Sequence, residues 1–263
     1  MGHAYSALLN FALARESGGR FLLRIEDIDQ GRARPEFEAA IYEDLAWLGL
    51  EWETPVRRQS EHFEDYARAL ERLDEMGLVY ACDCKRSDVM HFAAAHTDWP
   101  RDPDGAPLYP GTCRDKPRRP AREVLAHGGL ALRLDMGKAA ALAGAGLSWR
   151  EWGGGDIPAN PTQWGDVVLA RKDTPASYHI AVVVDDALQG VTDVVRGRDL
   201  FNATSLHRLL HRLLELPEPR YRHHDLVLDE GGEKLAKSRG SETLRALRAA
   251  GAQAADIRKR LGF

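Results

Sequence analysis

The stretch RFLLRIEDID, residues 20–29, is a short apolar run that ends abruptly in carboxylates. Its length and lack of alternation predict a buried strand over 20–25, with Glu26, Asp27 and Asp29 at its carboxyl end. In open parallel sheets, ligands bind beyond that end of the strands. A carboxylate there can receive an ammonium group or orient a ribose. Each of the three is equally explained as a solvated loop acid or a charge at a helix N-terminus.

Working outward, the segment before this strand, MGHAYSALLNFALARESGG, is a helix: Ala4, Ala7, Leu8 and Phe11 recur at helical spacing and Gly18-Gly19 stops the run. Gly2-His3 sets backbone N–H groups and a ring nitrogen at the positive end of that helix, an arrangement suited to nucleotide phosphates. A capping histidine is the more ordinary explanation. Beyond the strand, Pro35 suits a first helical turn, and Phe37, Ile41, Leu45 and Leu48 form a stripe closed by Gly49. Ser60 can cap a further helix that turns Phe63, Tyr66, Ala67, Leu70 and Leu73 inward.

LVYAC (78–82), ALRLDM (131–136), DVVLAR (166–171) and DLVLD (225–229) read as strands, and about 200–214 as a helix ending before Pro217. Residues 97–120, rich in Pro, Gly, Asp and Arg, have no period and read as loop. An irregular stretch containing GGG separates the second and third of these strands, and two short helices split near Gly251 close the chain. Alternating strands and helices predict an α/β fold with a mostly parallel sheet, interrupted by an insert. The expected divisions are 1–80, 81–165, 166–238 and 239–263.

The 263 residues are 44% apolar and 29% charged, as in a globular chain with a real core. No apolar run approaches the roughly 18–20 residues of a membrane span, and no secretory signal pattern opens the chain. An odd cysteine count of three argues against a disulfide scaffold and for a reducing cytoplasm. Net charge is -4, yet 114–122 (RDKPRRPAR) and 239–263 each carry +4. Either segment can face a phosphate backbone, although charge alone favours a solvated surface.

All three cysteines fall in CDC (82–84) and YPGTC (109–113), inside the loop-rich insert. Clustered thiols in a reducing compartment suggest a structural zinc site. On chemistry alone His91 or His96 would supply the fourth ligand, and Tyr109 is a less usual candidate. Lys234 and Lys237, in EKLAKS, stand on a Gly-flanked loop where ammonium groups can close over pyrophosphate, or simply form an exposed basic loop.

Together these segments resemble the glutamyl-tRNA synthetase group of class I aminoacyl-tRNA synthetases over nearly the whole chain. Gly2-His3, continuing as GHAYSALL, resembles the second half of the HIGH motif, LRIEDID (23–29) the group's segment after the next strand, and EKLAKS the KMSKS loop, with Ala236 replacing its usual serine. YHIAVVVDDALQGVTDVVRGRDL (178–200) is the most specific match. Because only about 25 residues follow EKLAKS, too few for an anticodon-binding domain, the chain most resembles the glutamyl-Q tRNA(Asp) synthetases.

The resemblance implies a Rossmann-like catalytic domain with a zinc-bearing α/β insert and a short helical C-terminal segment. It implies Cys82, Cys84, Tyr109 and Cys113 as zinc ligands. Gly2, His3, Lys234 and Lys237 would contact ATP, with His3 and Lys237 catalytic, while Glu26, Tyr178 and Arg196 would hold glutamate. The implied reaction is activation of L-glutamate by ATP, with Mg2+, and its transfer to queuosine at the wobble position of tRNA(Asp) by a cytoplasmic monomer. The alternatives are a truncated glutamyl-tRNA synthetase acting on tRNA(Glu), or a non-catalytic RNA-binding paralogue. In the family a first strand, an Arg-x-Ala-Pro-Ser-Pro stretch and the first histidine of HIGH precede the residue at which this sequence starts. The expectation is that a chain lacking them exposes neighbouring apolar edges and activates glutamate poorly.

Overall fold

The computed structural model describes residues 1–227 and 243–263. In chain order, α1 (Gly2–Glu16), β1 (Arg24–Ile25), α2 (Pro35–Trp47) and β2 (Arg57–Arg58) come first. Next are α3 (Phe63–Glu75), β3 (Val79–Cys82), α4 (Arg86–Ala94), α5 (Ala121–His127), β4 (Ala131–Leu134) and α6 (Met136–Ala143). Strands β5 (Ser148–Glu151), β6 (Gly155–Pro158) and β7 (Val168–Ala170) lead to α7 (Tyr178–Leu188), β8 (Asp193–Gly197), α8 (Ala203–Leu214) and β9 (Arg220–His224). The short helices α9 (Leu244–Ala249) and α10 (Ala254–Arg260) end the chain. The α/β class expected from the sequence is the class found.

Two compact units share these elements. The first holds Met1–Glu61, Val195–Phe201 and Arg222–Phe263; the second holds His62–Val194 and Asn202–Tyr221.

In the first unit, Ala4 and Leu8 of α1 bury against Leu45, Leu48 and Leu50, with Leu244 and Ile257 completing the core. The α2 stripe is only half used. Leu45 and Leu48 are buried, but Phe37 is 58% and Ile41 41% exposed. Strand β1 is also shorter than the apolar run predicts, pairing in parallel with β2 only through Arg24↔Arg57 and Ile25↔Arg58. Phe21 and Leu23 serve as packing residues against the core instead. Ser60 is not a cap: its hydroxyl and N–H both donate to Asp27, at 2.6 and 2.9 Å, and the helix begins after His62.

In the second unit β3, β4 and β7 form an antiparallel sheet, with Cys82 opposite Ala131. There β5 and β6 pair as an antiparallel hairpin, and β5 runs parallel to the start of β9, with Glu151 opposite Tyr221. That hairpin is the GGG stretch expected to be irregular. Gly153 and Gly155, at φ near +75°, make a turn that other residues would strain to make. Among the described residues the last strand is 220–224, and residues 225–227 of DLVLD join no ladder. Tyr221, fully buried, anchors it.

Buried carboxylates hold this unit together. Asp74 of α3 accepts from the Ala121 N–H at the start of α5 at 3.0 Å and pairs with Arg118. Asp185 of α7 accepts the Tyr66 hydroxyl at 2.9 Å. Asp166 accepts from Arg114, Tyr80 and the Met136 N–H.

Asp135 caps α6, accepting from the Lys138 N–H at 3.1 Å and pairing with its ammonium at 3.0 Å. Burial opposes its ionisation, but the contacts with Lys138 outweigh burial and hold the carboxyl below its ordinary value. The folded-state value is therefore the lower one, so its contribution is fully present above the unfolded value near 3.8 and is lost as pH falls through the folded value. Asp135→Asn is thus expected to cost stability at pH 7 and progressively less below pH ~4, read from urea unfolding at each pH.

Candidate active site and metal centre

The end of β3 and the loop after it deliver Cys82 and Cys84, and the long irregular segment delivers Tyr109 and Cys113. The three sulfurs lie within 4.8 Å of one another. The Tyr109 hydroxyl sits among them, 3.4 Å from the Cys82 sulfur and 3.5 Å from that of Cys84. The Cys113 N–H donates to the same oxygen at 2.9 Å. None of the cysteines is in a disulfide. Three sulfurs and one oxygen on a mostly buried floor fit a thiolate-rich metal centre.

Burial and the thiol contacts push the Tyr109 phenol up, and burial pushes the Cys82 thiol up. A dication reverses that preference by favouring the anions. The Arg133 guanidinium lies 3.8 Å over the Tyr109 ring and its Nε–H points at the Cys82 sulfur at 3.3 Å. Positive charge beside the set therefore supports thiolate at Cys82. Asp83, paired with Lys116 at 2.8 Å, has its carboxyl held at about 2. The two histidines weighed on chemistry are elsewhere: His91 is exposed on α4, and His96 stacks on Phe92 at 4.1 Å.

In the first unit, Gly2 opens α1 and His3 is exposed in its first turn; Met1 occupies the N-cap, so His3 is not the capping residue. Glu26, directly after β1, is exposed and accepts from Arg24 at 3.1 Å. Of the other two acids, Asp27 is spent on Ser60 and Asp29 lies 3.6 Å from Arg32. Arg196 on β8 is only 9% exposed. Its Nε–H donates to His223 Nε2 and one Nη2–H to the Leu200 carbonyl, both at 3.2 Å. A Cβ on Gly197 would press on the Asp199 carboxylate and on Leu226, so a larger residue there would make both side chains shift.

Tyr178 belongs to the second unit, where it begins α7. Its ring meets those of His179 and His207, each at 5.5 Å, and those imidazoles are joined by a 3.2 Å hydrogen bond. Lys234 and Lys237 lie outside the described residues. A cavity of about 230 Å³ at α5, lined by Arg119, Glu123, Val124, His127, Gly128 and Leu130, contains none of the candidate glutamate, ATP or metal residues.

The basic segment 114–122 is less available than its charge implies. Arg114 pairs with Asp166, Lys116 with Asp83 and Arg118 with Asp74. Sequence reading missed those acids, which are distant in sequence, and missed His223 and Arg133 for the same reason. A histidine or arginine inside a strand carries no local signal of what it faces.

The family described as tRNA synthetases class I (E and Q), catalytic domain, matches residues 1–256. This chain belongs to that family. Among relatives of this synthetase, a glutamyl-Q tRNA(Asp) synthetase from Rhodobacter capsulatus is 48% identical over all of this chain and 95% of that protein. One from Symbiobacterium thermophilum is 41% identical over 95% of this chain and 78% of its own. A solved glutamate-tRNA synthetase from Elizabethkingia anophelis superposes with a TM-score of 0.71 at 25% identity, covering 95% of this chain and 51% of that one. The synthetase chain thus spans about half the length of that solved enzyme. No helix among its described residues is long and apolar enough to cross a membrane.

Proposed function

We propose that this protein activates glutamate with ATP and transfers it to queuosine at the wobble position of tRNA(Asp). The observation that carries the reading is 48% identity, over the full chain, to a protein named for that reaction. In the first step a carboxylate oxygen of glutamate attacks the α-phosphate of ATP, forming glutamyl-adenylate and releasing pyrophosphate. The second step passes the glutamyl group to a hydroxyl on the cyclopentene ring and releases AMP.

Each residue's role follows from its chemistry. The exposed carboxylate of Glu26 receives the substrate ammonium, and Arg196 offers a carboxylate two parallel N–H donors. Tyr178 adds a phenolic contact. Gly2 and His3 meet ATP at the positive end of α1, where phosphate is favoured. Lys234 and Lys237 neutralise charge on the phosphates, aided by Mg2+. Zinc held by Cys82, Cys84, Tyr109 and Cys113 supplies structure and no chemical step. The insert over 81–165 is the body that this metal organises, and the cytoplasm, where charged tRNA is used, is the compartment.

Charging assays test the proposal. Labelled glutamate is expected on queuosine-containing tRNA(Asp), and not on queuosine-free tRNA(Asp) or tRNA(Glu). Transfer to tRNA(Glu) instead would establish a synthetase of ordinary specificity, and the absence of glutamate-dependent ATP–pyrophosphate exchange a binding paralogue. Within the first basic segment, Arg119 and Arg122 are the residues to reverse in charge, because reversing Arg118 would also break its pair with Asp74. Reversing both is expected to weaken tRNA(Asp) binding severalfold at low salt and to flatten its salt dependence, measured by filter binding. Unchanged affinity removes this segment as a tRNA contact.

A further inference from the structure

We infer that His223 is a positioning residue for glutamate recognition, acting through Arg196; the inference rests on the reading of Arg196 as a glutamate-binding residue. A guanidinium as buried as that of Arg196 must have its donors met, or its burial is costly. Two of them are met as follows: His223 Nε2 receives the Nε–H and the Leu200 carbonyl receives one Nη2–H. Arginine Nε–H can only donate, so Nε2 of His223 is unprotonated and the ring is neutral with its proton on Nδ1. Both acceptors are uncharged. They fix the plane of the fork.

The imidazole is itself held. His223 lies within β9, and the Phe201 ring stands edge-on to it at 5.0 Å. Phe201 follows directly on Leu200, so one short turn supplies both a carbonyl for Arg196 and a wall for its histidine. A bidentate carboxylate contact depends on the angle of the guanidinium plane, and an arginine released at Nε keeps its charge but loses that angle.

The test is glutamate-dependent ATP–pyrophosphate exchange by the full chain, with the wild type, His223→Ala, His223→Gln and Arg196→Ala compared. His223→Ala is expected to raise KM for glutamate about tenfold, with kcat and KM for ATP changed less than about twofold. His223→Gln, whose side-chain carbonyl can accept the same Nε–H, is expected to recover most of that loss. A normal glutamate KM in His223→Ala, or equal impairment in His223→Gln, overturns the proposal while leaving the Arg196 reading intact. Full activity in Arg196→Ala overturns that reading and the proposal with it. Should both histidine variants fail to fold, the wild type decides: a long-range 1H–15N spectrum must show His223 with a bare Nε2, and a proton there refutes the hydrogen bond.

Discussion

Asp166→Ala is expected to lower the unfolding free energy by about 3 kcal/mol or more, which chemical denaturation will measure. This carboxylate is only 3% exposed, yet it serves four donors. Arg114 Nε and Nη2 reach it at 3.0 and 2.7 Å, the Tyr80 hydroxyl at 2.5 Å and the Met136 N–H at 3.0 Å. Removing it strands the half-buried Tyr80 phenol and a buried backbone N–H at the start of α6. Arg114 is partly exposed, so its loss of a partner contributes little. Asp166→Asn can still accept from some of these donors while its amide opposes others, so it is expected to fall between wild type and alanine. Because Arg114 and Tyr80 flank the thiol cluster, the alanine variant is also expected to retain its metal less firmly.

The second large effect concerns that cluster. About one zinc per chain is expected on metal analysis of the purified protein, and Cys113→Ala is expected to abolish it together with a large part of the insert's stability. Tyr109→Phe separates ligation from packing. The ring remains beneath Arg133, but the oxygen that the two thiols approach is gone. If the phenol is a ligand, zinc affinity falls by at least about tenfold with little change in the stability of the zinc-loaded fold. Full retention of zinc in Tyr109→Phe would assign the fourth position to another donor.

How much of this was legible beforehand depended on the kind of signal. A helix with a strong stripe, such as α3, declares itself because burial of one face dictates the spacing. The cysteine cluster was also visible, since thiols confined to one loop-rich segment need a common partner. Fold class followed from alternation of elements. Less was visible where tertiary context decided the outcome. Phe37 and Ile41 continue a periodic stripe but stay exposed, and Ser60 looks like a cap but is claimed by Asp27. The GGG turn hid a hairpin because glycine at positive φ looks the same in an irregular loop. The two charged segments were read by sum, whereas the acids that neutralise 114–122 arrive from positions 74, 83 and 166. Arg196 and Glu26 were recognisable by family likeness, but the acceptors that orient the arginine were not.

The interleaving of the two units has a consequence for synthesis on the ribosome. Ala4 and Leu8 emerge long before Leu244 and Ile257, with which they share a core. The opening helix must therefore wait, with one greasy face uncovered, until those residues have been made. The other unit has everything it needs once residue 221 has left the exit tunnel. Maturation should proceed from the middle of the polypeptide outward, and a chaperone that shields nascent chains has its natural client in the first sixteen residues.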